Sequence, residues 1–126
     1  MTTQPKLNLT ALYDPSRPVH KIADDLLPYL QVLISEFAPQ HVVLFGSYAY
    51  GSPNEHSDVD LLVVKPLTQV GWKEAVIISK RWREVRKRAP FVRLELLVED
   101  PYWHEQRLAE GGAFYSDINQ KGIALI

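Results

Sequence analysis

Two short apolar segments, separated by a Gly-Ser pair and two aspartates, constrain the fold of this chain more than any other feature. Residues 42–45 (VVLF) and 61–64 (LLVV) have the length and the continuous apolar character of strands that are buried on both faces of a sheet. Side chains alternate along a strand, so Asp58 and Asp60 point to the same face, with their Cα atoms about 7 Å apart. Both carboxylates can then reach one divalent cation, and Mg²⁺ prefers such oxygen ligands.

The turn after the first of these strands is suited to an anion. Gly46 permits a sharp turn and a close approach of a ligand to the backbone, and Ser47 adds a hydroxyl group to the free N–H groups of the turn. Most Gly-Ser pairs are ordinary turns. This one gains weight from the two aspartates, which follow after ten intervening residues.

A third carboxylate lies in a later apolar segment. Residues 91–98 (FVRLELLV) predict a strand with Glu95 in its middle. A carboxylate in such a strand is costly to bury unless it is paired or binds a metal. The sequence leaves both explanations open: a salt bridge to Arg93 or to a lysine of another strand, or a third ligand beside Asp58 and Asp60.

The remaining segments predict helices around these strands. Apolar residues recur at helical spacing over residues 19–37, where Pro28 marks a kink or a break, and over residues 68–88, where Thr68 can cap the helix. Two more helices are expected over residues 101–110 and 113–120, followed by an extended segment over residues 122–126. We therefore predict an α/β (α+β) fold, with helices packed on a small mixed sheet of three or more strands.

Length and composition predict one core. The 126 residues, 46% of them hydrophobic, are enough for a single domain, which we place at residues 18–126. Residues 1–17 show no periodicity, and we expect a loose N-terminal arm there, to which we assign no role. The chain has no cysteine, no segment that resembles a signal peptide and no apolar segment of membrane-spanning length, so we expect a cytoplasmic protein without a membrane partner.

The charge of the chain argues against a nucleic-acid partner. A formal net charge of -1 gives no overall attraction to phosphate backbones, which disfavours template-independent extension of a polynucleotide. Basic residues are concentrated in residues 80–88 (KRWREVRKR), with six basic side chains against one acid. The simpler interpretation is a solvated helix end that suits the helix dipole, and the alternative is a patch that binds phosphate or a partner.

The motifs described so far resemble those of a known family. Residues 45–51 (FGSYAYG) and 57–61 (SDVDL) resemble the signature of the nucleotidyltransferase superfamily, which includes DNA polymerase beta, kanamycin nucleotidyltransferase and small stand-alone members. The third acid of that family appears as Leu94-Glu95-Leu96, and residues 114–123 are similar to the end of the minimal members. The resemblance implies the nucleotidyltransferase fold, nucleotide binding at Gly46 and Ser47, and two Mg²⁺ ions on catalytic Asp58, Asp60 and Glu95.

The resemblance also implies an activity and a partner. The expected reaction is transfer of a nucleoside monophosphate, AMP from ATP, to a hydroxyl acceptor. Larger transferases add a helical domain that holds the acceptor, so a partner chain or a homodimer is expected to supply what these 126 residues lack. Small members are often paired, as antitoxins, with a HEPN toxin that they modify, which makes a protein adenylyltransferase the expected function. The alternative is a binding module that neutralises its partner by contact, although three clustered acids that repel one another without metal favour the enzyme.

Overall fold

The structure is a computed structural model that describes residues 6–126. Its helices are α1 (Leu9–Leu12), a 3-10 helix (Pro18–Ile22), α2 (Ala23–Phe37), α3 (Ser47–Tyr50), α4 (Gly71–Arg81), α5 (Arg83–Arg88), α6 (Pro101–Glu110) and α7 (Ala113–Lys121). Its strands are β1 (His41–Phe45), β2 (Val59–Val64), β3 (Leu94–Glu99) and β4 (Ile123–Ala124). No helix in residues 6–126 is long and apolar enough to cross a membrane.

The four strands form one mixed sheet in the order β3-β2-β1-β4. Strand β1 is antiparallel to both β2 and β4, whereas β2 and β3 are parallel and are connected through α4 and α5. The predicted α/β (α+β) fold with a small mixed sheet is confirmed. Both faces of the sheet are covered at β2, which explains why its residues 61–64 are apolar without alternation and are all buried.

Each face of the sheet has its own apolar cluster. On one face the helices α2, α4 and α5 pack on Leu61 and Val63 of β2, and this cluster holds most of the core. On the other face Leu62 and Val64 pack against Ile118 of α7. Asp60 shares its side of β2 with Leu62 and Val64, so it lies on the face that α7 covers.

A tryptophan joins the helices of the larger cluster. Trp82 lies between α4 and α5, packs edge-on against Tyr29 of α2 at 5.3 Å between ring centroids, and donates from Nε1 to the Tyr29 carbonyl at 2.9 Å. The Tyr29 hydroxyl in turn donates to the Ala89 carbonyl at 2.8 Å. These bonds satisfy the polar atoms of two buried aromatic side chains.

The N-terminal segment differs from the loose arm that we expected. Residues 1–5 lie outside the described residues, but residues 6–17 are packed: they include α1, and Leu12 is fully buried. The backbone N–H of Asn8 donates to the Leu125 carbonyl at 2.7 Å, which places this segment beside the end of the chain. One short turn of helix is too brief to produce a periodic pattern in the sequence.

Helix boundaries follow tertiary contacts more than local signals. The expected helix over residues 19–37 is a 3-10 turn followed by α2, which continues through Pro28 without a break. The expected helix over residues 68–88 begins only at Gly71, after Val70 rather than a Thr68 cap, and is interrupted at Trp82. A Cβ at position 71 would overlap the Val98 carbonyl, so α4 begins where its backbone touches β3. Helix α6 was predicted correctly, and Asp100 caps it by accepting from Tyr102 N at 3.0 Å.

Candidate active site

The turn between β1 and α3 brings backbone and carboxylate together. Gly46 has φ 77° and ψ −158°, a conformation that side chains disfavour, and a Cβ at this position would overlap Oδ2 of Asp60. Both the backbone angle and the space therefore require glycine. Ser47 begins α3 immediately afterwards, so this helix starts directly after the backbone that lies against the Asp60 carboxylate.

The sheet register places two of the three acids in one row across the strands. Phe45 of β1 is paired with Asp60 of β2, and Asp60 is paired with Glu95 of β3. Residues that are directly opposite in neighbouring strands point to the same face, so the carboxyl groups of Asp60 and Glu95 are neighbours. The structure thus brings together two of the three predicted metal ligands and the predicted glycine of the turn.

Asp60 is in an unfavourable environment for a negative charge. Partial burial raises its pKa, and the neighbouring charge of Glu95, a hydrogen bond between the two carboxyl groups and the charge of Asp58 raise it further, to about 6. No cation is paired with this carboxylate among residues 6–126. An additional positive charge at this position would relieve both the desolvation and the repulsion.

Asp58 lies in the next row and has a different partner. It immediately precedes β2, and its Oδ1 forms an ion pair with Nε of Arg93 at 3.4 Å. The Arg93 guanidinium also donates to the His56 carbonyl, and the Arg93 carbonyl accepts from Val59 N at 2.7 Å. Both side chains of the ion pair are about half exposed. Arg93, which we considered as a partner of Glu95, is thus paired with Asp58 instead.

Glu95 is more accessible than its sequence context indicated. It lies on an edge strand of the sheet and is exposed, so no internal salt bridge is needed to keep it charged. Ser57 Oγ, in the loop that precedes Asp58, accepts from Asn54 N at 2.9 Å. The loop before β2 is shaped by this bond and by a bond of 2.8 Å from His56 N to Asn54 Oδ1.

Lys65, the lysine that directly follows β2, does not lie at the site. It follows the far end of β2, about 17 Å along the chain from Asp60. Its Nζ is paired with Glu74 Oε1 at 3.1 Å, and both side chains are largely buried. Of Arg93 and Lys65, it is therefore Arg93 that lies at the site.

The donor chemistry of the site fits a hard divalent cation. All three candidate ligands are carboxylates, and Asp60 carries a charge that its surroundings do not compensate. In the conformation described, no three acidic or histidine side chains of residues 6–126 are grouped as a metal site, and Asp58 is paired with Arg93.

The match to known families covers the whole of this site. The family model described as "Nucleotidyltransferase domain" matches residues 29–110, which extend from α2 to the end of α6 and include the Gly46 turn and the three acids. A search of curated proteins finds no match to the chain.

Proposed function

The chain belongs to the nucleotidyltransferase domain family, and from this membership we propose that it transfers AMP from ATP to a hydroxyl group of a partner protein, with Mg²⁺ as cofactor. Family membership supports transfer of a nucleoside monophosphate in general. The observation that carries the proposal is the row formed by Gly46, Asp60 and Glu95, in which a carboxylate with a raised pKa touches a turn suited to phosphate.

The turn at Gly46 and Ser47 is the proposed phosphate site. Without a side chain at position 46, phosphate oxygens can approach the backbone closely. The proposed donors for them are the N–H groups of Ser47 and Tyr48 and the Ser47 hydroxyl, since the N–H groups of Ala49 and Tyr50 already donate to the Gly46 carbonyl. Arg93, which is paired with Asp58, adds a positive charge at the site. These groups would hold the triphosphate so that its α-phosphorus faces the acids.

Asp58, Asp60 and Glu95 are the proposed ligands of two Mg²⁺ ions. When bound, Mg²⁺ neutralises phosphate charge and lowers the pKa of an attacking hydroxyl group. The acids are suited to this because their mutual repulsion is relieved by a cation, which makes ion binding stronger than at isolated carboxylates. Asp58 is half exposed and can leave Arg93 without unfolding the strand that follows it.

The reaction needs one proton acceptor. The acceptor hydroxyl oxygen forms a bond to the α-phosphorus, the bond between that phosphorus and the bridging oxygen breaks, and pyrophosphate leaves. We assign the released proton to Glu95, which is exposed and lies beside Asp60. The exposed position of Glu95 on an edge strand also leaves room for an acceptor that comes from another protein.

The acceptor that we propose is a HEPN-type toxin protein, with this chain acting as its antitoxin. The support is the resemblance of its motifs to those of stand-alone members of the superfamily. Modification of a hydroxyl group on the toxin would then be the means of neutralisation. The alternative is neutralisation by contact alone, in which case the carboxylates have no role in it.

Incubation with α-labelled ATP, Mg²⁺ and a HEPN-type toxin protein tests this proposal. We expect the wild-type chain to label the toxin and Asp60→Asn to leave it unlabelled. Asp117→Asn is a matched control, because Asp117 is an exposed aspartate on α7 that is paired only with Lys121, at 3.7 Å.

Two results would contradict this proposal, one for the acceptor and one for catalysis. If the wild-type chain binds ATP but labels no protein, the acceptor is wrong. If Asp60→Asn neutralises the toxin as well as the wild type does, the binding module replaces the enzyme.

A further inference from the structure

Basic side chains are concentrated at the end of α4, in α5 and just before β3. Residues 80–93 hold seven of the chain's 14 lysines and arginines and only one of its 15 acids, Glu84. The rest of the chain is left with seven basic side chains against 14 acids, so it is strongly acidic. A formal net charge of -1 conceals this separation. One part of the chain is thus much more positive than the overall composition indicates.

Ion pairs within the molecule account for only some of these charges. Arg81 is paired with Glu36, and Lys87 is paired with Glu84 at 3.1 Å. Both side chains of the second pair are exposed, so a carboxylate of another molecule can take the place of Glu84. Three further cations have no carboxylate within ion-pair distance among residues 6–126, namely Lys80, Arg83 and Arg88.

One side of α5 collects three of the cations. Arg83, Arg86 and Lys87 are at spacing i, i+3 and i+4 and are exposed, whereas Val85 faces the core from the opposite side. Phe91, three residues after the end of the helix, is 89% exposed. We refer to Arg83, Arg86, Lys87 and Phe91 as the α5 surface.

A cavity connects the α5 surface with the active site. It has a volume of about 240 Å³, and its lining comes from α2, α4, α5 and the segment that leads into β3. Arg86 lines it from α5, Arg93 lines it from the start of β3, and so do the residues on either side of Phe91. Arg93 is also the partner of Asp58, at 3.4 Å. One arginine therefore belongs both to this cavity and to the active site.

Glu95 lies just beyond this arginine. It follows Arg93 by two residues, which is about 7 Å along a strand, and it is exposed on the edge strand of the sheet. A molecule that contacts the α5 surface can therefore extend over Arg93 to Glu95.

We propose that the α5 surface binds an acidic segment of a partner protein, and that this segment lies next to the hydroxyl group that receives the nucleotide. Carboxylates of the segment pair with Arg83, Arg86 and Lys87, and an apolar side chain of the segment packs on Phe91. The position of the hydroxyl group rests on the proposed function, whereas the binding of the acidic segment does not.

A polynucleotide fits this surface less well than a short acidic segment does. Helix α5 has six residues and is only about 9 Å long, whereas the charges of a polynucleotide continue along its whole length. The three acids of the neighbouring active site would repel them. Stacking of successive bases also needs several aromatic side chains, and the α5 surface has one.

Fluorescence anisotropy with a labelled peptide tests the binding. The probe is a synthetic peptide in which a tyrosine and a leucine are flanked by runs of glutamate, at a salt concentration of about 50 mM to limit screening. We expect saturable binding to the wild type and at least about 10-fold weaker binding to a variant with Arg83→Glu and Lys87→Glu. Phe91→Ala, which changes no charge, should weaken binding about 3-fold.

The matched control carries Lys21→Glu and Lys73→Glu. It changes the net charge by the same amount at two exposed lysines outside the α5 surface, and it should bind the peptide nearly as well as the wild type. Far-UV circular dichroism shows whether each variant is folded, and all the substituted side chains are exposed.

Three results would overturn the binding proposal. One is that the wild type does not bind the peptide at concentrations up to about 1 mM. Another is an equal loss of affinity in the two double variants, because binding would then follow the net charge of the chain. The third is tighter binding of a single-stranded oligouridylate of the same length, lost in the Arg83→Glu and Lys87→Glu variant, which would make the surface a nucleic-acid interface.

A transfer assay with α-labelled ATP and Mg²⁺ tests the position of the hydroxyl group separately. If the peptide tyrosine is labelled, Arg83→Glu and Lys87→Glu together should raise KM for the peptide and leave kcat unchanged, because neither side chain belongs to the acidic site. A lower kcat with an unchanged KM would contradict a role in docking. A peptide that binds to the α5 surface but is not labelled contradicts the proposed position of the acceptor and leaves the binding surface in place.

Discussion

Replacement of Asp60 by asparagine should stabilise the protein in the absence of metal. The pKa of Asp60 is raised from 3.8 to about 6, so the folded state binds a proton more strongly than the unfolded state does. The protonated carboxyl group stabilises the folded state fully below pH 3.8, and this stabilisation is lost as the pH rises through about 6. Above that pH the wild type carries a destabilising charge that asparagine lacks.

The magnitude follows from the size of the shift. The pKa shift of Asp60 corresponds to about 3 kcal/mol in the free energy of unfolding. Because the side chain is partly exposed, solvent screening reduces this to about 1–2 kcal/mol. Asparagine has the shape of aspartate and can donate to Glu95, so the substitution should leave no cavity. For a chain of this length, the gain corresponds to a rise of about 5 °C in Tm.

Urea unfolding in EDTA measures the effect. The fluorescence of Trp82, which is buried, should report loss of the core, whereas Trp72 and Trp103 are already exposed. The free energy of unfolding of Asp60→Asn should be close to that of the wild type near about pH 4, and the difference between the two should reach its full value above about pH 7. Addition of Mg²⁺ should narrow or reverse the difference, because only the wild type gains stability from the bound ion.

Asp117→Asn is again the matched control. It removes one negative charge from a surface pair and should change the free energy of unfolding by less than about 0.5 kcal/mol. A difference between Asp60→Asn and wild type that stays constant from acidic to neutral pH would refute the reasoning, as would a less stable variant at neutral pH.

Three further predictions concern single positions. Gly46→Ala should lower the free energy of unfolding by about 2 kcal/mol in urea titrations, since the new Cβ meets Asp60 at a positive φ; a change below about 0.5 kcal/mol would contradict this. Glu95→Gln should reduce nucleotide transfer at least about 100-fold while the circular dichroism spectrum stays the same, and retention of activity would exclude Glu95 as the proton acceptor. Lys65→Met should lower the free energy of unfolding by about 1–3 kcal/mol, because it leaves Glu74 without its cation, yet nucleotide binding measured by calorimetry should be unaffected. Loss of ATP binding in Lys65→Met would place Lys65 at the site after all.

The pairing of Asp58 with Asp60 on one face could be predicted because alternation along a strand is a local property. The parallel register of β2 and β3 places Glu95 opposite Asp60. The same register brings Arg93 next to Asp58. Two sequence segments about thirty-five residues apart do not encode that register locally. The family resemblance supplied Glu95 for this reason, whereas reasoning from the strand alone left its role open.

The incorrect predictions of helix boundaries have a similar origin. Thr68 has the side chain of a helix cap, but the helix begins at Gly71, where the backbone contacts Val98. Pro28 interrupts the helical pattern in the sequence, yet α2 continues through it because a single lost hydrogen bond is offset by burial of Leu26, Leu30 and other residues of that face. In both cases a tertiary contact outweighed a local preference.

The bond between Asn8 and Leu125 has a practical consequence for tagging and fusion. It places the two ends of the described chain side by side, and Leu125 N donates to the Val42 carbonyl at 2.8 Å, near the start of β1. Gly46 is four residues further along, about 13 Å away. A fluorescent protein or an affinity tag attached at either end of the described residues would therefore emerge from one place, at the opposite end of β1 from the Gly46 turn. A short peptide bridge between the ends would allow the chain to be reopened in a surface loop elsewhere without lengthening any of its strands.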